Sequence, residues 1–244
     1  FLWSLDERTF ADAAPDAMQK AELRDTFLYR ALDKACRARY GKPFSPGRQL
    51  NGSCVAWGAM HAVWIAESIE WELGNRSEPP LMPSTEGIYG GSRVEARGRP
   101  GDGQRPYGGW SDGSTGYAAA KWLKDWGVTY RRRYDFDGRV VDLTNYDKDV
   151  EKSWGAFGNG GQDDGGKFDA VAAKTPCKYV TNVRTWDELV AAITSGFPVT
   201  IASNVGFTKT RDSDGFCRAS GVWMHQMCLA GLRKDRPGAL VINS

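Results

Sequence analysis

Apolar residues at Met18, Leu23, Phe27, Leu28, Ala31, Leu32 and Ala35 recur mostly at three- and four-residue steps, and this spacing predicts one amphipathic helix over 16–40. Gly41 and then Pro43 stop it. A Pro- and Gly-rich stretch over 43–52 leads into a second, strongly apolar helix over about 54–73, closed by Gly74, with Ser53 or Asn51 available to cap it. The segment 78–112 is rich in Pro, Gly and Ser and reads mainly as loops. A third helix is expected near 115–126, ended by Gly127.

Beyond Val128 the pattern changes to short β-prone runs at 139–143, 178–183, 198–203, 224–232 and 239–243, interrupted by one helix at about 185–195. The run Gly-Asn-Gly-Gly-Gln-Asp-Asp-Gly-Gly at 158–166 reads as a flexible loop whose two aspartates are solvated rather than metal-binding. Helices come first and strands second, which is an α+β order with a boundary near 128–138.

Composition narrows the choices. Lys and Arg number 32 against 30 for Asp and Glu, so no global field draws the chain to nucleic acid or an anionic membrane. Ten tryptophans and 41% apolar residues point to a packed globular protein. No apolar run reaches the roughly 18 to 20 residues of a membrane span, and Phe1-Leu-Trp-Ser-Leu lacks the charged-then-apolar order of a signal peptide. The five cysteines, at 36, 54, 177, 217 and 228, are odd in number and irregular in spacing, with no C-x-x-C pair. That argues against a structural zinc site and a dense disulfide framework. No cofactor or metal is expected, and a cytoplasmic or virion-associated setting is expected ahead of a secreted one.

The candidate chemistry begins at Gly52-Ser53-Cys54-Val55-Ala56-Trp57, where a thiol stands at the entry to a helix. The first turn of a helix offers unpaired N–H groups and partial positive charge, which stabilise a thiolate and can receive an oxyanion. A buried cysteine packed as a small apolar residue is the competing reading. Two histidines exist. His61 is two helical turns from Cys54, about 10 Å along the axis, and reads as a packed residue. His225 lies in a run fit for a buried strand, either as a core residue or as the base for the thiol. Asn243 ends the next strand and could orient the imidazole. A hairpin that sets 243 beside 225 must turn about Lys234, while Pro237-Gly238 pulls the turn toward the C-terminal side, so a bulge or wider loop is required.

These residues resemble the papain family of cysteine peptidases. Four segments match in order: Asn-Gly-Ser-Cys-Val-Ala-Trp at 51–57; Gly-Gly-Trp-Ser-Asp-Gly-Ser at 108–114, followed by a Lys-Trp-Leu helix; His225 opening a strand; and Val-Ile-Asn-Ser at 241–244. Together they span most of 48–244. The resemblance implies a two-lobed fold, with a helical lobe over 1–133 carrying Cys54 and a β-rich lobe over 134–244 carrying His225 and Asn243, the cleft lying between. It implies that Gln49 serves the oxyanion, and that Gly108, Gly109 and Gly113 approach a peptide backbone beside Trp110. Ordinary turn glycines and a core tryptophan are the alternatives for those four.

The departures are specific. Asn51 and Val55 stand where the family commonly has a cysteine and an aromatic residue, so the disulfide at that place is absent. Arg48 occupies the usual glutamine position, and Gln49 serves only if the loop is one residue tighter. The interval from Cys54 to His225 is longer than usual, with 158–166 as an insertion. Bacterial and phage members are the nearer likeness.

A cysteine peptidase acting on peptide or protein substrates is the leading expectation. A cell-wall peptide hydrolase using the same thiol, or a non-catalytic peptide-binding or virion structural module associated with a larger assembly, are the alternatives. Ser244 is expected not to be the natural end of the folded unit, because Asn243 sits one residue from it.

Overall fold

The computed structural model describes residues 8–97 and 112–244. Two short helices, α1 (Phe10–Ala13) and α2 (Pro15–Gln19), precede a two-residue strand β1 (Thr26–Phe27), α3 (Tyr29–Tyr40) and the long α4 (Cys54–Glu72). Next come α5 (Thr85–Arg93), a 3-10 turn (Glu95–Arg97) and α6 (Gly116–Asp125). A hairpin of β2 (Arg133–Phe136) and β3 (Arg139–Asp142) leads to α7 (Lys148–Phe157), α8 (Asp169–Ala172) and α9 (Trp186–Thr194). The chain closes with β4 (Val199–Phe207), β5 (Ala219–Arg233) and β6 (Gly238–Ile242).

β5 is the spine of the larger sheet. β6 pairs along one edge of it, while β4 and then β1 pair end to end along the other, all antiparallel. The bulge that the hairpin arithmetic requires lies between Leu229 and Gly231, where the β5–β6 register shifts. Against this sheet packs α4, whose burial runs almost all round its first half, as expected of a helix apolar on every face. The main core joins Leu32 of α3, Met60 and Ile65 of α4, Trp122 of α6, and Cys228 and Leu232 of β5. A separate cluster of Tyr134, Leu143, Trp154, Phe168 and Val171 holds the β2–β3 hairpin to α7 and α8.

Several expectations are corrected. The single helix over 16–40 is broken, because Thr26 and Phe27 pair with Leu232 and Gly231 and so occupy the edge of β5; pairing with the sheet overrides local helical periodicity. The segment 78–112 is not simply loop, since α5 lies within it. Its Gly87 and Gly91 are packing residues rather than breakers: a Cβ there would meet Thr129 Oγ1 at 2.1 Å and the Trp122 ring at 2.2 Å. Residues 178–183 form no named strand. Asn182 makes an isolated bridge to Thr9, and Tyr179 stands exposed.

α7 escaped the periodic reading because its inward face carries Glu151 and Gly155 as well as Trp154. In the 158–166 loop Asp163 is exposed, whereas Asp164 is buried, pairs with Arg139 and accepts the Phe168 N–H at 2.7 Å. All five cysteines are free thiols. Among the described residues no helix is long and apolar enough to cross a membrane, and no group of His, Cys, Asp and Glu is arranged to hold a metal ion.

Candidate active site

Cys54 is the first residue of α4, with Ser53 at the N-cap. One turn on, Gly58 faces β5 so closely that a Cβ there would stand 3.2 Å from Gln226 Cγ and 3.3 Å from the Met227 carbonyl. The missing side chain lets the start of α4 lie against the strand that carries His225. As a result the Cys54 thiol comes near the His225 ring and the backbone N–H groups of Gln226 and Val55, near enough for each of them to shift its pKa.

Electrostatics follow from those contacts. Burial raises the Cys54 pKa, but the hydrogen bond from His225, the Gln226 N–H, the charge of the imidazolium and the Val55 N–H outweigh it and leave the thiol below its ordinary value. On the histidine the order of causes differs. The hydrogen bond to Cys54 raises the imidazole pKa, partial burial lowers it, and Asn243 and the thiolate charge raise it, for a net increase. Both shifts favour the thiolate–imidazolium pair.

The other ring nitrogen is held. His225 Nε2 lies 2.5 Å from Asn243 Oδ1, so it donates to the amide oxygen and Nδ1 is left for the sulfur. The register explains the reach. Cys228 pairs with Ile242, so the residue after Ile242 comes opposite Met227, and His225 is the diagonal neighbour on the same face of β5. Trp223, two residues before His225, packs its ring at 4.9 Å from the imidazole and at 5.5 Å from Phe207.

Ser53 and Asn51, the two expected caps, do not cap α4. Both side chains donate instead to Glu151 Oε2 on α7, each at 2.9 Å. Gln49 is half-buried, and its Oε1 accepts from Ser244 Oγ at 3.2 Å, which brings it to the residue beside Asn243. Gly113 has the left-handed φ of 93° and stands beside Gly52, but its N–H donates to the Tyr89 hydroxyl at 3.1 Å and its carbonyl accepts from Arg93. Gly108, Gly109 and Trp110 lie outside the described residues.

His61 is elsewhere. It is buried between Phe44 and Trp57, its Nε2 bonds the Pro46 carbonyl at 3.0 Å, and burial pushes its pKa down to about 4. The sequence pointed to first-turn N–H groups, of which that of Val55 is one, but did not single out the Gln226 N–H, Trp223 or Glu151. Of these only Trp223 left a signal, its i−2 position on the histidine's strand face.

No protein-family model matches the chain, and no curated protein matches it. Among solved structures the fold is similar to that of xylellain, a cysteine protease from Xylella fastidiosa, with a TM-score of 0.54 over 94% of this chain and 76% of that one. Identity is 16%, so the likeness is one of fold.

Proposed function

We propose that the protein is a papain-like cysteine peptidase in which Cys54 is the nucleophile, His225 its base and Asn243 the residue that orients the imidazole. In this account His225 takes the thiol proton, and the sulfur attacks the carbonyl carbon of a peptide bond. The tetrahedral oxyanion is received by N–H groups at the start of α4 and by the Gln49 amide. The imidazolium then protonates the departing amine as the C–N bond breaks and a thioester remains. Water activated by His225 attacks the thioester, releases the acid and restores the thiol. Residues 1–133 act as a helical lobe and 134–244 as a β-rich lobe, with the reaction between them.

One observation carries this reading: a thiol at an uncapped helix start faces an imidazole whose far nitrogen is tied to an asparagine. The fold likeness to a bacterial cysteine protease supports it. The test is a screen of protein and peptidoglycan-peptide substrates with Cys54→Ala as the control. Cleavage of protein substrates that disappears in the variant supports a peptidase. Cleavage confined to cell-wall peptides reassigns the substrate, and cleavage by neither protein removes the enzymatic reading.

A further inference from the structure

The turn ahead of Cys54 is gripped from one side by the segment that opens α7. Leu50 N–H donates to the Tyr146 hydroxyl at 3.3 Å, and Asn51 Nδ2 donates to the Lys148 carbonyl at 2.8 Å and to Glu151 Oε2 at 2.9 Å. Ser53 Oγ donates to the same carboxylate oxygen at 2.9 Å, and the Tyr146 hydroxyl to it at 2.8 Å. The Tyr146 ring meets Trp57, on the first turn of α4, edge-on at 5.3 Å.

The grip is itself anchored. Asp147, the N-cap of α7, donates its N–H to Glu86 Oε1 at 2.9 Å, and Glu86 is paired with Arg131 in the interior at 2.6 Å. Glu151 is completely buried. A buried carboxyl is costly unless satisfied: Oε1 of Glu151 is buried with no hydrogen-bond partner among the described residues and burial raises its pKa, so the three donors that converge on Oε2 are what hold it, a connection that a surface contact would not provide.

We propose that Glu151, assisted by Tyr146, is a positioning residue for the nucleophile: it draws Asn51 and Ser53 away from the start of α4 and thereby leaves the N–H groups there to the Cys54 sulfur and to the oxyanion. The proposal rests on the reading of Cys54 as the nucleophile. The Ala56 and Trp57 N–H groups are held by the Ser53 carbonyl, so the ones at stake are those of Cys54 and Val55. Ser53 stands at φ −99° and ψ 23°, outside the extended conformation of an ordinary cap, and a hydroxyl freed from Glu151 reaches the Val55 N–H only by a turn of its backbone. Asn51, held by side-chain hydrogen bonds, fixes the same turn without a covalent tether. Glu151 touches neither substrate nor sulfur in this account. It acts through the turn.

The experiment follows Cys54 by mass mapping after brief iodoacetamide treatment across pH, in Glu151→Ala, Glu151→Gln and the unaltered protein, alongside kcat, KM and thermal melting. Glu151→Ala is expected to slow Cys54 alkylation at neutral pH and to lower kcat by about 10- to 100-fold, with KM within about threefold, as a displaced reacting group does. The alkylation midpoint moves to higher pH. Glu151→Gln, which keeps an acceptor oxygen at the same reach, recovers both to within about threefold of the unaltered protein.

A folded Glu151→Ala whose alkylation profile matches the unaltered protein overturns the proposal, as does a Glu151→Gln no better than the alanine. If Glu151→Ala fails to melt cooperatively, Ser53→Ala and Tyr146→Phe decide through Cys54 alkylation. Tyr146→Phe is expected to slow it about two- to fivefold, and Ser53→Ala, which removes both the tether and the rival cap, to change it less. Full reactivity in Tyr146→Phe overturns the proposal. If Cys54 of the unaltered protein is no more reactive than Cys217, the peptidase reading fails first and the role of Glu151 falls with it.

Discussion

Five of the described helices have a serine or threonine at the N-cap, and two of them, α9 and α4, use it in opposite ways. At α9, Thr185 accepts the Glu188 N–H at 3.1 Å while the Glu188 carboxylate takes the Thr185 N–H at 3.2 Å, so the helix end closes on itself. At α4, Ser53 gives its hydroxyl to Glu151, and the Val55 N–H of the first turn is left to the thiol. The same kind of residue closes one end and leaves the other without a side-chain cap. What differs is a carboxylate: Glu188 sits three residues into its own helix, whereas Glu151 arrives from another one.

The sharpest way to break that contrast is to remove the imidazole. His225→Ala is expected to lower hydrolysis by about 10³- to 10⁴-fold, the scale of losing a positioned base. His61→Ala, on the same helix as the nucleophile but bonded to Pro46, is expected to reduce the melting temperature and keep turnover within a few-fold. Steady-state kinetics and melting curves for the pair check this, and the reverse pattern would exchange the roles of the two histidines. Next in size, Gln49→Ala lowers kcat by about 10- to 1000-fold if its amide meets the oxyanion. An unchanged kcat assigns that task to backbone N–H groups alone.

Asn243→Ala releases the ring of His225 and is expected to cost about 10- to 100-fold in kcat/KM, since a misaimed base is a small displacement with a large effect. The smallest expected effect on activity lies at the capped helix end. Thr185→Ala removes the α9 cap and costs about 1 kcal/mol of stability, read as a lower denaturation midpoint, with kcat/KM unchanged. A fall in kcat/KM there would mean that the two helix ends are not independent.

The sequence made some of this visible and concealed the rest for physical reasons. Cys54 was legible because a Gly-rich entry and an apolar run announce a helix start. That 225 and 243 lie on neighbouring strands was legible as arithmetic, including the need for a bulge, because antiparallel register is a sum of positions. The register itself falls two residues away, with Asn243 opposite Met227 and His225 on the diagonal. α5 was hidden since Gly87 and Gly91 are spent on close contacts with Thr129 and Trp122, partners far along the chain. The edge strand β1 was hidden for a similar reason: its pairing with Gly231 and Leu232 lies outside any local window. Glu151 was the least legible. A carboxylate on an apparently polar stretch reads as surface until the loop that buries it is in place.

The central claim is that Cys54 is activated by its surroundings, and its reactivity across pH tests that most directly. Exposure alone favours Cys217, the exposed thiol, over the half-buried Cys54. Burial holds Cys36 at about 12 and also raises Cys177 and Cys228, whereas Cys54 is lowered. A lowered pKa puts thiolate at Cys54 at pH values where an ordinary thiol is still protonated, and the raised pKa of His225 keeps the imidazolium beside it to higher pH. Brief alkylation at neutral pH followed by peptide mapping is therefore predicted to label Cys54 ahead of the other four, with a midpoint that rises in His225→Ala. Preferential labelling of Cys217 with Cys54 untouched, or a midpoint indifferent to His225, would contradict the account.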